Sequence, residues 1–391
     1  MLISTTDHAS IYRLPILIVD DNDVNRLYIE QVLTARGFYN LKAVDSAEKA
    51  LACIDAFNPE LLILDILMPG MDGFECCNII RQKLNQLDLP ILIQTAIIAP
   101  ELRVKAFENG ATDFVSKPVY SDELYARVMV HLEKRLYLKN LQLYKTRVET
   151  ELESARQLQC SILPQTKDIS DVSKRCQLDI AAHYQPSSEV GGDFWGMKSL
   201  FAHQTAFWLI DFSGHGVAAA LNSFRLQAYL MEHSPLATRP GDYLVHLNEK
   251  LLQLLLHSQF ATMFYGIIDS RSNELIYSCA CSPNPILLDY AKASTRILDG
   301  SGRPLGISLG QYPTASIDFH PGDVLVLYSD ALTETPNQDG DFIGEKHIAH
   351  ILSAYQNHPA ETIRDAILDE FTKHADSPSD DLTLVVCRRV P

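Results

Sequence analysis

Short apolar runs alternate with amphipathic stretches in the first third of the chain: Pro15 to Val19, Asp23 to Arg36, Leu61 to Leu64, Asp72 to Leu84, Pro90 to Thr95 and Thr112 to Ser116. Runs of strand length separated by helix-length segments predict a parallel sheet with helices on both faces, an α/β doubly wound domain. Sheets of that kind take ligands at the carboxyl ends of their strands, so the residues directly after each run are where chemistry is sought.

From Asp122 to Leu163 neither Gly nor Pro occurs, and positions 138, 141, 145, 148, 152, 155, 159 and 162 recur in steps of three and four. Leu138, Leu141, Val148, Leu152, Ala155 and Ile162 make this stripe apolar; Lys145 and Gln159 interrupt it. A narrow stripe on a helix rich in Glu, Lys and Arg has the spacing of a coiled-coil seam. Such a helix would reach roughly 60 Å at 1.5 Å per residue. The pattern predicts a coiled-coil linker over 122–163 and a parallel homodimer; the alternative is a helix packed on its own domain.

After Pro164 the strands read Thr205 to Ile210, Thr262 to Ile268, Leu275 to Ser278 and Val324 to Tyr328, with helices near 217–232, 241–257 and 359–374. Their segregation in sequence favours an α+β layered domain. The expected boundaries are 14–135 for the first domain, 122–163 for the helix that overlaps its end, and 165–391 for the second.

Composition narrows the function classes. Apolar residues make up 47% and charged residues 21% of the 391 positions, the balance of a folded globular chain. Lys plus Arg is 33 against 49 Asp plus Glu, and a formal charge of −16 argues against nucleic acid or an anionic membrane as partner. The eight cysteines form no paired two-residue spacing of a zinc or redox motif. No run approaches 18 apolar residues, and Met1 to Tyr12 does not read as a signal peptide. A reducing cytoplasm is the expected location.

In the first domain the apolar runs end in Asp20 and Asp21, in Asp65, in Gln94 and Thr95, and in Lys117 and Pro118. A parallel sheet brings these to one rim. Three clustered carboxylates repel unless a hard cation binds, and Mg²⁺ accepts a few carboxylates with water and phosphate oxygens. Asp65 is then placed to attack a phosphoryl group, with Lys117 spreading charge and Thr95 donating a hydrogen bond. The strings ILIVDDND, LLILDILMPGMDG, ILIQTA and GATDFVSKP resemble the receiver domain of two-component response regulators. The resemblance implies that Asp65 is the phosphoacceptor and that Asp20, Asp21, Asp65 and the carbonyl of Leu67 hold Mg²⁺. It further implies that Thr95 and Lys117 sense the phosphoryl group, that Phe114 is an aromatic switch, and that a histidine kinase or phosphotransfer protein is the donor.

The second half carries VGGDFW with Asp193, LIDFSGHG with Asp211, LYSDALTE with Asp330, and SDDLTLVV with Asp380 and Asp381. Each Asp stands at an end of a strand-like run, so antiparallel strands would gather them at one edge. Two divalent cations would offset the repulsion, lower the pKa of a shared water and support in-line displacement at phosphorus. Gly214, His215 and Gly216 open a helix, with His215 read as structural. The region resembles the bacterial PP2C-like (PPM) serine/threonine phosphatases of the SpoIIE and RsbU type, with ELESARQLQCSILPQ, FATMFYGIID, GRPLGI and PGDVLVLYSDALTE as further matches. By that resemblance Asp193, Asp211, Asp330, Asp380 and the carbonyl of Phe212 hold two Mn²⁺ or Mg²⁺, with Asp381 a neighbour. The implied substrate is a phosphoserine or phosphothreonine on a STAS-type anti-sigma antagonist, opposed by a serine-kinase anti-sigma factor.

The chain departs from that pattern at Gly196, where the family often has Asp, at Ala331, where it often has Gly, and at Cys281 and Ser282 in its AGH string. Two other readings stay open. Gly191 to Phe194 superficially matches a diguanylate cyclase signature, and a metal-poor domain would bind a phosphoprotein without hydrolysing it.

Overall fold

The computed structural model describes residues 8–84, 87–95, 100–214, 216–232, 235–256 and 259–390. The chain divides into two compact units, Met1–Val148 and Glu149–Pro391.

In the first unit β1 (Ile16–Val19), β2 (Leu41–Val44), β3 (Leu61–Asp65), β4 (Ile91–Thr95) and β5 (Asp113–Ser116) pair in parallel in the order β2-β1-β3-β4-β5. The helices are α1 (His8–Ile11), α2 (Asp23–Ala35), α3 (Ala47–Phe57), α4 (Gly73–Asn78), α5 (Pro100–Glu108) and α6 (Ser121–Ile162). The central strands read as unbroken apolar runs because both of their faces are covered. Leu17, Val19, Leu62, Leu64, Ile91 and Ile93 pack with Ala50, Ile54, Phe74 and Cys77. The alternate residues Ile16, Ile18, Leu61, Ile63, Leu92 and Val115 pack with Ile29, Leu33, Leu124, Val128 and Leu132 of α2 and α6. This is the expected doubly wound layout. The expected helix 72–84 is α4 followed by a widened turn, Ile79–Lys83, in which the Leu84 N–H bonds the Ile79 carbonyl five residues back at 3.1 Å.

In the second unit, α7 (Thr166–Cys176), β6 (Leu178–Gln185), β7 (Phe194–Phe201), β8 (Gln204–Phe212), α8 (Val217–Met231), α9 (Pro240–Leu254), β9 (Ala261–Asp269) and β10 (Glu274–Ala280) come first. After them come β11 (Ile286–Asp289), β12 (Ser294–Ile297), β13 (Ala315–Asp318), β14 (Val324–Tyr328), α10 (Ala331–Glu334), α11 (Glu345–Ala354), α12 (Ala360–His374) and β15 (Leu382–Arg389). Two antiparallel five-stranded sheets form, β13-β10-β9-β8-β7 and β12-β11-β14-β15-β6. Alternation along the strands sorts the core into layers. Trp195, Phe207, Leu209 and Phe264 from one sheet meet Ile180, Leu325, Leu327 and Val385 from the other. The outer faces carry α8 and α9 on Trp208, Ile210 and Tyr265, and α11 and α12 on Val326, Leu384 and Val386. The result is a four-layer sandwich, helices outside two central sheets. Among the described residues no helix is long and apolar enough to cross a membrane.

Helix α6 runs for 42 residues, across the boundary between the units. Of its apolar stripe, Leu138 and Leu141 are exposed, while Val148, Leu152, Ala155 and Ile162 are half-buried. Gln159 departs from the seam reading: it is fully buried within its own unit.

Candidate functional site

Two carboxylate sites form, one in each unit. In the first, Asp20 follows β1 and Asp65 ends β3, the adjacent pair at which the strand order reverses and at which ligands of such sheets bind. Asp20, Asp21 and Asp65 each offer a carboxylate oxygen within 4.8 Å of the others. Lys117 Nζ bridges two of them, at 2.5 Å from Asp65 Oδ2 and 2.9 Å from Asp20 Oδ2. Burial pushes the Asp65 carboxyl above its ordinary range, with Asp20 adding to the rise and Lys117 opposing it. Burial would lower the Lys117 ammonium, but its bonds to Asp65 and Asp20 prevail and hold it above its usual value.

The surrounding backbone fixes this geometry. Lys117 N–H bonds the Thr95 carbonyl at 2.7 Å, which sets the lysine beside the buried threonine. Leu67 N–H donates to Asp65 Oδ1 at 3.4 Å, and a Cβ at Gly73 would stand 2.3 Å from the Asp65 carbonyl oxygen. Phe114 is half-buried, 6.3 Å from Phe107 in an edge-on contact and under the Arg127 guanidinium at 5.4 Å.

In the second unit Asp193 directly precedes β7, Asp211 is the last residue but one of β8, Asp330 follows β14 and Asp380 precedes β15. One sheet therefore supplies two of the carboxylates and the other sheet the remaining two. Their proximity is visible in their protonation. Burial, then Asp211, pushes Asp193 well up; burial, then Asp330 and Asp380, pushes Asp211 up to about 7; burial, then Glu334 and Asp380, pushes Asp330 up to about 6. Among the described residues no Lys, Arg or His forms an ion pair with any of the four. Such a donor set fits hard divalent cations, which supply the missing charge. Among the described residues no second trio of ligand atoms is as tight as that of Asp20, Asp21 and Asp65. Carboxylates that serve two metals about 3.5–4 Å apart need not all lie that close.

The loop that carries Asp193 is held by side chains. Asp381 is occupied there: Oδ1 accepts from Ser187 N–H (2.7 Å) and its hydroxyl (3.0 Å), and Oδ2 from Gly192 N–H (2.5 Å) and Asp193 N–H (3.4 Å). With both oxygens taken by donors, Asp381 shapes the loop. Gly191 and Gly192 permit the close approach: added Cβ atoms would stand 2.3 Å from Asp381 Oδ2 and 2.8 Å from the Phe212 carbonyl oxygen. Thr383 donates to Asp193 Oδ2 at 2.7 Å, and Ser223 Oγ donates to the Gly192 carbonyl at 2.5 Å. Sequence reasoning missed Thr383, Ser223 and Gln159; for Gln159 the signal was a polar interruption of the apolar stripe just before Pro164.

The sequence departures have structural explanations in two cases. Gly196 faces Trp208 across β7 and β8, and Ala331 is buried in the outer core beneath α11 and α12. Its methyl group therefore fills that core. Cys281 is exposed at a positive φ of 56°. His215 lies outside the described residues.

Comparison with known proteins agrees with this division. The response regulator receiver domain family matches residues 16–129, and the stage II sporulation protein E (SpoIIE) family matches residues 202–390. The second match contains Asp211, Asp330 and Asp380; Asp193 lies just ahead of it. Among relatives, hybrid signal transduction histidine kinase C of Dictyostelium discoideum is 41% identical over 109 residues, 26% of this chain and 9% of that protein. Transcriptional regulatory protein YvrH of Bacillus subtilis is 39% identical over 122 residues, 31% of this chain and 50% of that protein. The chain thus spans half or less of either relative. The SiaA-PP2C domain of Pseudomonas aeruginosa superposes with a TM-score of 0.54 at 20% identity, covering 63% of this chain and 98% of that one, a likeness of fold. A SpoIIE match over 202–390 does not fit the cyclase reading of Gly191 to Phe194. The chain thus carries a response regulator receiver domain over 16–129 and a SpoIIE-family domain over 202–390, the second unit having the fold of a PP2C domain.

Proposed function

We propose that the second unit hydrolyses phosphoserine or phosphothreonine on a protein, under control of phosphorylation at Asp65. The observation that carries this reading is the convergence of Asp193, Asp211, Asp330 and Asp380 at the sheet ends, where burial and neighbouring carboxylates raise the carboxyls of Asp193, Asp211 and Asp330. With the Phe212 carbonyl they would hold two Mn²⁺ or Mg²⁺. When bound, such a pair ionises a shared water and offsets charge on the phosphoryl group. The chain's own part is orientation: Thr383 fixes one Asp193 oxygen, and Asp381 holds the loop through four donors.

In the first unit Asp65 takes the phosphoryl group from a histidine kinase or phosphotransfer protein, beside Mg²⁺ on Asp20, Asp21 and the Leu67 carbonyl. Lys117 supplies the neutralising ammonium, and Thr95 with Phe114 registers the change. The substrate class is a phosphorylated STAS-type anti-sigma antagonist in the cytoplasm, and the exposed Leu138 and Leu141 support a homodimer along α6. Hydrolysis of p-nitrophenyl phosphate by the full chain tests the enzyme reading. It should require Mn²⁺ or Mg²⁺ and be lost in Asp211→Asn; turnover indifferent to chelator would refute it.

A further inference from the structure

Gln159, in the last turn but one of α6, has no exposed surface. Its amide pairs reciprocally with a single residue: Nε2 donates to the Gly191 carbonyl at 2.6 Å and Oε1 accepts from the Gly191 N–H at 3.1 Å. The next groups along the segment are likewise taken by side chains, Gly192 N–H and Asp193 N–H by Asp381 and the Gly192 carbonyl by Ser223. The segment Gly191 to Asp193 precedes β7 and draws on no sheet ladder for these bonds. Of the three side chains that hold it, Gln159 alone belongs to α6. The segment has little room to find another partner, because a Cβ at Gly191 would already stand 2.3 Å from Asp381 Oδ2 and 2.8 Å from the Tyr184 hydroxyl oxygen.

We infer that Gln159 is a positioning residue that makes the placement of Asp193 conditional on the seating of α6. The inference rests on the reading of Asp193 as a metal carboxylate. A one-residue change of helix phase turns a side chain by about 100°. That turn takes the amide off Gly191 and leaves a buried N–H and a buried carbonyl without partners, a state that proteins avoid. The loop must then move, and Asp193, two residues on, moves with it. Gln159 lies on the helix that begins in the receiver fold at Ser121, so a change of phase along α6 would be read at the metal site through this one amide. Its polarity on an apolar stripe is thereby explained.

Contacts that orient metal ligands cost about 10–100-fold in metal affinity when removed. The test is a Mn²⁺ titration of the full chain, with free ion followed by electron paramagnetic resonance. It compares the parent with Asp211→Asn, Gln159→Leu and Gln159→Asn, each confirmed as folded by circular dichroism. Gln159→Asn keeps the amide but is one methylene short of Gly191, and it carries the test where Gln159→Leu does not fold. The parent should show receiver and phosphatase classes of site, and Asp211→Asn should lose the phosphatase class. The Gln159 variants should keep the stoichiometry, with the phosphatase class weakened about 10–100-fold and the receiver class unchanged. Parent-like affinity in folded Gln159 variants, with Asp211→Asn still losing its class, overturns the inference and leaves the metal reading standing. A parent profile that Asp211→Asn does not alter overturns the metal reading and the inference with it.

Discussion

Gly196 stands directly across from Trp208 in the β7–β8 pair, and a Cβ at Gly196 would lie 2.4 Å from the indole ring. The tryptophan thus fills the room that a carboxylate at this position would need. Introducing one by Gly196→Asp should destabilise the second unit by about 3 kcal/mol or more, since it adds overpacking to a buried charge. Thermal unfolding of the variant against the parent measures this. In the double variant Gly196→Asp, Trp208→Leu much of the loss should be recovered.

Gln94 is fully buried in β4 beside Asp65, and among the described residues both polar atoms of its amide lack a hydrogen-bond partner. An unsatisfied buried amide costs about 1–3 kcal/mol. Gln94→Leu, close in volume, should therefore raise the stability of the receiver unit by about that amount in urea unfolding.

Glu60, just before β3, is buried and bonded to Arg135 Nε at 3.0 Å and Lys139 Nζ at 2.6 Å, which fastens α6 to the receiver fold. Burial would raise its carboxyl, but Lys139 and Arg135 prevail and hold it below the ordinary range. A depressed folded-state pKa contributes stability that is complete above the unfolded value near about 4.3 and is lost as pH falls through the folded one. Glu60→Gln should cost about 1–3 kcal/mol at neutral pH. The difference from the parent should shrink steadily below about pH 4.

Leu141 and Val148 lie on the stripe of α6 that the chain itself leaves exposed or half-exposed. Leu141→Asp with Val148→Asp should convert a dimer to a monomer in light scattering and remove the response of turnover to acetyl phosphate, with both units still folded. A monomeric double variant that still responds as the parent does would separate coupling from dimerisation.

The sequence was most legible where periodicity and chemistry coincide. Ile16 to Val19, Leu61 to Leu64 and Val324 to Tyr328 are apolar on consecutive residues because they are covered on both sides, and an Asp follows each run directly or one residue later. Among the elements missed are β2, α3 and α7: Leu41–Val44 is half-exposed and includes a lysine, and the apolar face of α7 is only Ile169, Val172 and Cys176 in an otherwise polar segment. The carboxylates could be named from their motifs, but not their different duties. Asp380 and Asp381 are neighbours in sequence, yet the second spends both oxygens on backbone amides and a hydroxyl that lie 188 to 194 residues earlier in the chain. Gln159 likewise read as a flaw in a coiled-coil stripe because its partner, Gly191, is brought to it only by the fold.

The central claim is that Asp65 phosphorylation governs hydrolysis at the Asp193, Asp211, Asp330 and Asp380 site. The direct measurement is the rate at which the full chain releases phosphate from a phosphoserine STAS-type protein with Mn²⁺ present, before and after treatment with acetyl phosphate and Mg²⁺. The rate should change on treatment, with a rise expected, alongside one hydroxylamine-labile phosphoryl group per chain. Asp65→Asn should hold the untreated rate throughout, and Asp211→Asn should lower it at least about 100-fold, beyond the cost of losing an outer contact. A treated rate equal to the untreated one in a labelled parent, or an equal response in Asp65→Asn, would contradict the account.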